Sequence, residues 1–354
     1  DRSPSRGLGD VYKRQVLDLA TGSGDLALEI QKNCPKAEVI GSDFCEPMLQ
    51  QAEKRGLKKT VLADALNLPF SDNFFNVSSE FGFLPQNRPI TSLPKRYSEL
   101  QNILDRMPVE LPDGNPGILA IPNKIEKVVE NLPNYFELVK KEDDIMIIQG
   151  LFRGYCFLSS AFTLESSYQE FVKSKKYGKA RNFLPQQIAQ PFVYVAEKLD
   201  VYPWLEYHYA YSLGNFKVLD GSDNFHWSNL DQCVKFSGKK DETGFIMNHV
   251  DINQHSPTLV ESVMESLISI DSKDDESLNH WLEKNFNSMV KVNERRKEMW
   301  VASRWKHYND FRIFIMGIKG NEEIFGDGLV YQGVSDEPKP VSYTHLTLPT
   351  NREV

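Results

Sequence analysis

Gly22 and Gly24, in the string DLATGSGD, allow a tight backbone turn and a close approach of main chain to ligand. Asp43, which ends the next apolar run, offers a carboxylate to the two hydroxyls of a ribose. The pattern is not a phosphate loop, because it lacks both the GxGxxG spacing and the lysine of GK[ST]. It also places Asp18 beside the turn, where a further negative charge repels a pyrophosphate. What remains is nucleoside recognition, or else an α/β unit with no ligand. The cysteines Cys34, Cys45, Cys156 and Cys233 lack CxxC spacing, so they suggest neither a zinc site nor a disulfide framework and suit a reducing compartment.

The elements that position these residues follow two patterns. VLDLATGSGDLALEIQK predicts strand, glycine turn and helix; AEVIGSDF a second strand; EPMLQQAEKR a helix; TVLADALNLPF a third strand; and NFFNVSSEF a candidate fourth. This βαβαβ order predicts a parallel sheet with its site at the carboxyl ends of the strands. After Gly82 the pattern becomes helical. Ser256 and Pro257 predict a cap and first turn, followed by Leu259, Val260, Val263, Leu267 and Ile270 at helical spacing. Leu278, Trp281, Leu282, Phe286, Met289 and Val290 predict another helix. Pro191 opens a third, with Phe192, Val195, Ala196 and Leu199 on its apolar side.

The chain has 354 residues, 40% of them hydrophobic and 25% charged, with a formal net charge of −8. The acidic balance argues against a nucleic-acid partner. No uncharged apolar run approaches the roughly 20 residues of a membrane span, and cytoplasm is the expected compartment. The two ends are unusual. DVYKRQ (residues 10–15) and VSYTHL (residues 341–346) back-translate to one DNA element in opposite orientations, which resembles the paired adapters of transposon-based sequencing libraries. Residues 1–15 and 341–354 are therefore set aside from fold reasoning, and the reading frame between them is expected to be open at both ends.

DLATGSGD, SDFCEPMLQQAEKR and ADALNLPFSDN together resemble class I S-adenosylmethionine methyltransferases, closest to those of ubiquinone and menaquinone biosynthesis, over residues 16–81. The resemblance implies that Gly22 and Gly24 line S-adenosylmethionine, that Asp43 binds its ribose and that Asp64 lies near the adenine. Asn76 departs from the family's frequent aspartate, and the family's later strands do not follow.

NFLPQQIAQPFVYVAEKL, FRIFIMGIKGN and GLVYQGVSDEP resemble the indoleamine 2,3-dioxygenase family over residues 82–340. The implied fold is mainly α, preceded by an α/β Rossmann-like methyltransferase fragment. The implied chemistry is haem-dependent insertion of dioxygen into the indole of tryptophan, giving N-formylkynurenine. Arg312 matches the arginine that holds the substrate carboxylate, for which a planar fork is suited, although a lone arginine also serves in structural ion pairs. Phe245 and Phe162 match aromatic walls of the distal pocket, and either also suits a core. His249 stands where animal members carry serine; a neutral imidazole there can accept the indole N–H, or it is a satisfied helix histidine. His307 stands where the family has an aromatic residue. The family's proximal histidine falls beyond GVSDEP, so no metal ligand is assigned among His208, His226, His255 and His280. Residues 80–84, where EFG meets GFLP, are the expected junction of two joined genes.

Overall fold

In a computed structural model of the chain, the described residues are 15–19, 21–33, 38–43, 45–62, 81–317 and 321–339. The chain divides into two compact units, Asp1–Phe75 and Asn76–Val354. The candidate fourth strand and Asp64 lie outside the described residues.

In the first unit β1 (Gln15–Leu19), α1 (Asp25–Asn33), β2 (Glu38–Asp43), α2 (Glu46–Lys54) and β3 (Thr60–Leu62) alternate as the sequence predicts. Both strand pairs are parallel, with Asp18 opposite Gly41 and Asp43 opposite Leu62, in the order β1-β2-β3. Gln15, assigned above to the excluded end, pairs with Glu38; ladder bonds are made by main chain and do not select the side chain. Ala27, Val39, Ala52 and Leu57 form the core, with Leu28 against it.

The second unit comprises α3 (Ser98–Arg106), α4 (Lys124–Glu130), α5 (Phe136–Val139), α6 (Ile145–Ser174), β4 (Phe183–Leu184), α7 (Gln186–Lys198), a π-helix (Tyr207–Tyr211), β5 (Phe216–Val218), β6 (Leu230–Gln232), α8 (Lys240–Asn253), α9 (Ser256–Ser272), α10 (Asp275–Lys297), α11 (Met299–Ala302), α12 (Asn309–Arg312), α13 (Glu322–Phe325), β7 (Leu329–Tyr331) and β8 (Ser335–Lys339). The axis of this unit is α6. Asp144 caps it by accepting from Met146 N at 2.9 Å, and Leu151, Phe152, Tyr155, Phe157 and Leu158 are wholly buried. Each such side chain contributes about 1.5–3 kcal/mol of transfer free energy. Its 30 residues are long and apolar enough to cross a membrane, but most of that stretch is buried within the unit, as befits a core helix. Aromatic packing joins it to its neighbours: Phe152 lies 5.7 Å from Phe192 of α7, Phe157 lies 4.4 Å from Phe236, and Phe236 stacks on Phe314 at 5.1 Å.

Two expectations need correction. Pro191 does not open α7; the helix begins five residues earlier, after Pro185, and carries Pro191 inside it. The proline forfeits one intrahelical N–H, which packing of Phe192, Val195 and Ala196 outweighs. Ser256 is the first residue of α9 and not its cap. The backbone is already helical at His255, so the Ser256 hydroxyl instead donates to Asn253 O at 2.6 Å and accepts from Phe83 N at 2.8 Å.

The helix expected at 259–270 is present as α9, and its serine face, not its apolar stripe, is the buried one. Ser262, Ser266 and Ser269 are buried, whereas Val263, Leu267 and Ile270 are 53%, 46% and 55% exposed. The small serines let α10 approach closely, and Asn285 Nδ2 donates to Ser262 Oγ at 2.9 Å across the contact. Leu282, Phe286 and Met289 of α10 are likewise exposed.

Arg304 ties the end of α11 to the start of α8. Its backbone N, Nε and Nη2 donate to the Asp241 carboxylate at 2.8, 2.9 and 2.7 Å. These bonds hold the Asp241 carboxyl down at about 2. A depressed carboxyl stabilises the fold above its unfolded value, near pH 4, and this contribution is lost as pH falls towards 2. Arg304→Ala is therefore expected to move the acid-unfolding midpoint to higher pH in a fluorescence titration. An unmoved midpoint would show that the pair adds nothing.

Candidate functional site

In the first unit the glycine turn links β1 to α1. Gly22 and Gly24 have φ of +53° and +81°, and a Cβ on Gly24 would lie 2.9 Å from Ala52 Cβ. Gly24 thus serves the close packing of α2 as well as the turn. Asp43 is 7% exposed; its Oδ2 accepts from Gly22 N and its Oδ1 from Cys45 N, both at 2.8 Å. The carboxylate at the end of β2 is thus bonded to the turn, and a ribose would meet only its remaining lone pairs.

The second unit brings three of the predicted residues into one cluster. Phe245 and His249 are one turn apart on α8, with ring centroids 4.9 Å apart. Phe245 also meets Tyr308 at 5.1 Å and Phe311 at 5.5 Å, immediately before and within α12, the helix that ends at Arg312. Arg312 Nη1 is buried and has no hydrogen-bond partner among the described residues. The guanidinium acts on the Tyr308 hydroxyl, whose pKa burial raises and Arg312 partly restores. A buried, unpaired guanidinium nitrogen is costly, and a planar anion placed against it would remove that cost.

His249 Nδ1 lies 2.8 Å from the Phe245 carbonyl oxygen. An oxygen with only lone pairs requires a proton on Nδ1, so the neutral ring presents Nε2 as an acceptor. Burial lowers the pKa of this histidine, opposed by the Phe245 carbonyl, so the ring is neutral at pH 7. The Tyr207 ring meets His249 edge-on, with centroids 5.7 Å apart at 77°.

Phe162 and His307 are placed differently. Phe162 packs edge-on against Phe183 at 5.6 Å and lies under the Arg181 guanidinium at 5.3 Å. Arg181 pairs in turn with the fully buried Glu165 at 2.8 Å, which makes this a core contact of α6. His307 Nδ1 lies 3.3 Å from Asp310 Oδ2, the oxygen that Lys239 Nζ reaches at 2.8 Å. It joins an ionic cluster. Tyr207, Tyr308 and Phe311 escaped the sequence reading. The i, i+4 spacing of Tyr308 and Arg312 was the available signal for one of them.

No group of three or more histidine, cysteine or carboxylate side chains is arranged for a metal ion among the described residues. A haem needs a single axial ligand together with apolar walls, and the Phe245, Tyr308 and Phe311 rings with the Arg312 fork fit the substrate side of such a pocket.

Two families match parts of the chain. A methyltransferase-domain family model matches residues 16–104, and an indoleamine 2,3-dioxygenase family model matches residues 71–345. The demethylmenaquinone methyltransferase of Thermus thermophilus is 46% identical over 97 residues, which cover 26% of this chain and 42% of that protein. Indoleamine 2,3-dioxygenase 1 of Rattus norvegicus is 24% identical over 276 residues, covering 76% of this chain and 60% of that protein. The mouse protein of the same name is 23% identical over 269 residues, again with 60% of its length covered. The chain thus spans less than two thirds of the length of these relatives. With most of its length matched by that family's model, and with an aromatic, histidine and arginine cluster inside the matched region, the chain belongs to the indoleamine 2,3-dioxygenase family.

Proposed function

We propose that the helical unit is the substrate-binding part of a haem-dependent dioxygenase that converts tryptophan to N-formylkynurenine. The observation that carries this reading is the buried, unpartnered Nη1 of Arg312 beside the Phe245, Tyr308 and Phe311 rings. Arg312 holds the substrate carboxylate through its fork. Phe245 gives the indole an apolar wall and keeps water out. His249 accepts the indole N–H at Nε2, the nitrogen that the Phe245 carbonyl leaves unprotonated. Haem, when bound, supplies the iron that activates dioxygen. Related indoles are candidate substrates alongside tryptophan, since His307, standing where the family has an aromatic residue, packs beside Asp310 outside the cluster. The protein acts on small molecules in the cytoplasm and needs no nucleic acid. On this reading the chain alone is expected to be inactive. The test is N-formylkynurenine formation by haem-loaded protein, for this chain and for one continued into the remaining length that its relatives carry. Turnover is expected from the longer chain, and its absence there would end the reading.

The first unit supports a second reading, methyl transfer from S-adenosylmethionine to a quinone precursor. Its support is the glycine turn bonded to Asp43 and the likeness to demethylmenaquinone methyltransferases. Because both Asp43 oxygens already accept main-chain N–H groups, S-adenosylmethionine is expected to bind more weakly than low micromolar by calorimetry. A tighter constant would refute that. We further propose that residues 80–84 join segments of two genes, an assembly product and not an evolved fusion. The overlap of the two family matches at residues 71–104 brackets this stretch, and one uninterrupted amplicon across it from source DNA would dismiss the idea.

A further inference from the structure

The Tyr207 side of the cluster rests on an unusual turn. Residues Tyr207–Tyr211 form a π-helix, in which Ser212 N donates to Tyr207 O at 3.1 Å. Such turns are rare and recur at functional sites. Glu206 caps this one: Oε1 accepts from His208 N at 2.7 Å and Oε2 from Tyr209 N at 2.6 Å. At the exit, Arg153 Nη1 donates to Gly214 O at 2.8 Å. The turn is therefore pinned at both ends, and its first residue is the one that meets His249.

A carboxylate is an expensive cap at this place. Burial pushes the Glu206 carboxyl up, and the His208 and Tyr209 N–H groups pull it back. Other titratable groups near it are the Cys156 thiol of α6 and the Tyr207, His208 and Tyr209 side chains; burial holds His208 down at about 4, so none of them is a cation at neutral pH. Around His249 the facing groups are the Phe245 carbonyl and ring on α8 and the Tyr207 ring on the π-helix.

We propose that Glu206 is a positioning residue for this pocket: by capping the π-helix it holds the Tyr207 ring across His249 and so keeps that imidazole oriented and dry. The purpose of this arrangement rests on the dioxygenase reading, since a dry, neutral imidazole is what accepts an indole N–H. Its test uses neither haem nor tryptophan, so the two ideas fail separately.

The experiment is a histidine-selective NMR titration of the full chain. His249 is assigned by its loss in His249→Gln, and exposed His280 serves as internal reference. The parent His249 midpoint should lie below the ordinary histidine value of about 6.5. Glu206→Ala should shift it up towards that value, while Glu206→Gln, which retains one acceptor oxygen, should stay near the parent. A purely structural role would lower thermal stability in Glu206→Ala without moving His249 relative to His280. A folded Glu206→Ala with an unmoved midpoint overturns the proposal, and so does Glu206→Gln shifting as far as Glu206→Ala. Should Glu206→Ala not fold, Tyr207→Ala removes the shielding ring directly; it must raise the His249 midpoint while Tyr207→Phe does not, and no rise overturns the proposal.

Discussion

Arg312→Ala will lower kcat/KM for tryptophan about a hundredfold in the haem-loaded, continued chain, yet leave the thermal midpoint of the ligand-free chain unchanged or slightly raised. Both halves follow from one atom. Nη1 is buried without a partner among the described residues, so the ligand-free fold gains nothing from that atom and carries its desolvation cost, which offsets the guanidinium's hydrogen bond with the Tyr308 hydroxyl. A structural ion pair behaves in the opposite way, since breaking it strands a buried charge and costs about 3–5 kcal/mol. When a substrate carboxylate is present, truncating its buried partner costs about 2–5 kcal/mol, and each 1.4 kcal/mol is about tenfold in affinity. Arg312→Lys should recover only part of the loss, because an ammonium cannot reproduce the planar fork. A large fall in the ligand-free midpoint, with kcat/KM intact, would assign Arg312 to the scaffold.

What could be read in the sequence depended on whether a residue's neighbours were local. The parallel βαβαβ unit was legible because its strands and glycine turn are contiguous patterns, and Asp43 took its place at the turn. Gly24 was legible as a turn residue but not as a packing residue, since Ala52 lies on another element. Phe245 and His249 share one helix face at i, i+4, and their pairing could be anticipated. Tyr207 could not, because it reaches His249 only through a π-helix whose cap bonds no periodicity announces.

The apolar stripe of α9 carries a different lesson. Helical spacing identifies an apolar face but not what lies opposite it, and α10 meets the serine face instead. Phe162 and His307 were assigned by likeness of strings alone. Their actual neighbours, Arg181 beneath Glu165 and Asp310 beside Lys239, are set by tertiary contacts.

Haemin added to this chain is expected to give no stoichiometric, six-coordinate, imidazole-type spectrum. Each described histidine is committed or poorly placed for axial ligation. His226 is held between Ser228 Oγ at 2.7 Å and Glu298 Oε2 at 3.3 Å, and His307 faces Asp310. His208 lies edge-on to Tyr209 at 5.0 Å, and burial pushes its pKa down to about 4. His280 is exposed, without the apolar walls that exclude water from an iron bond, and half-buried His255 sits near the Lys291 and Arg295 charges. His249 leaves Nε2 free of the Phe245 carbonyl, and under the proposed reading that nitrogen faces the indole and not the iron. Without an axial bond, the roles proposed for Phe245 and Arg312, packing and carboxylate recognition, would not hold an iron. The check is a Soret titration followed by challenge with excess apomyoglobin, which should strip any loosely held haemin within the mixing time. A Soret band that survives the challenge at one haem per chain would show that one of these histidines ligates iron. His249→Ala, the first replacement to make, would then decide whether the pocket described as distal is the proximal one.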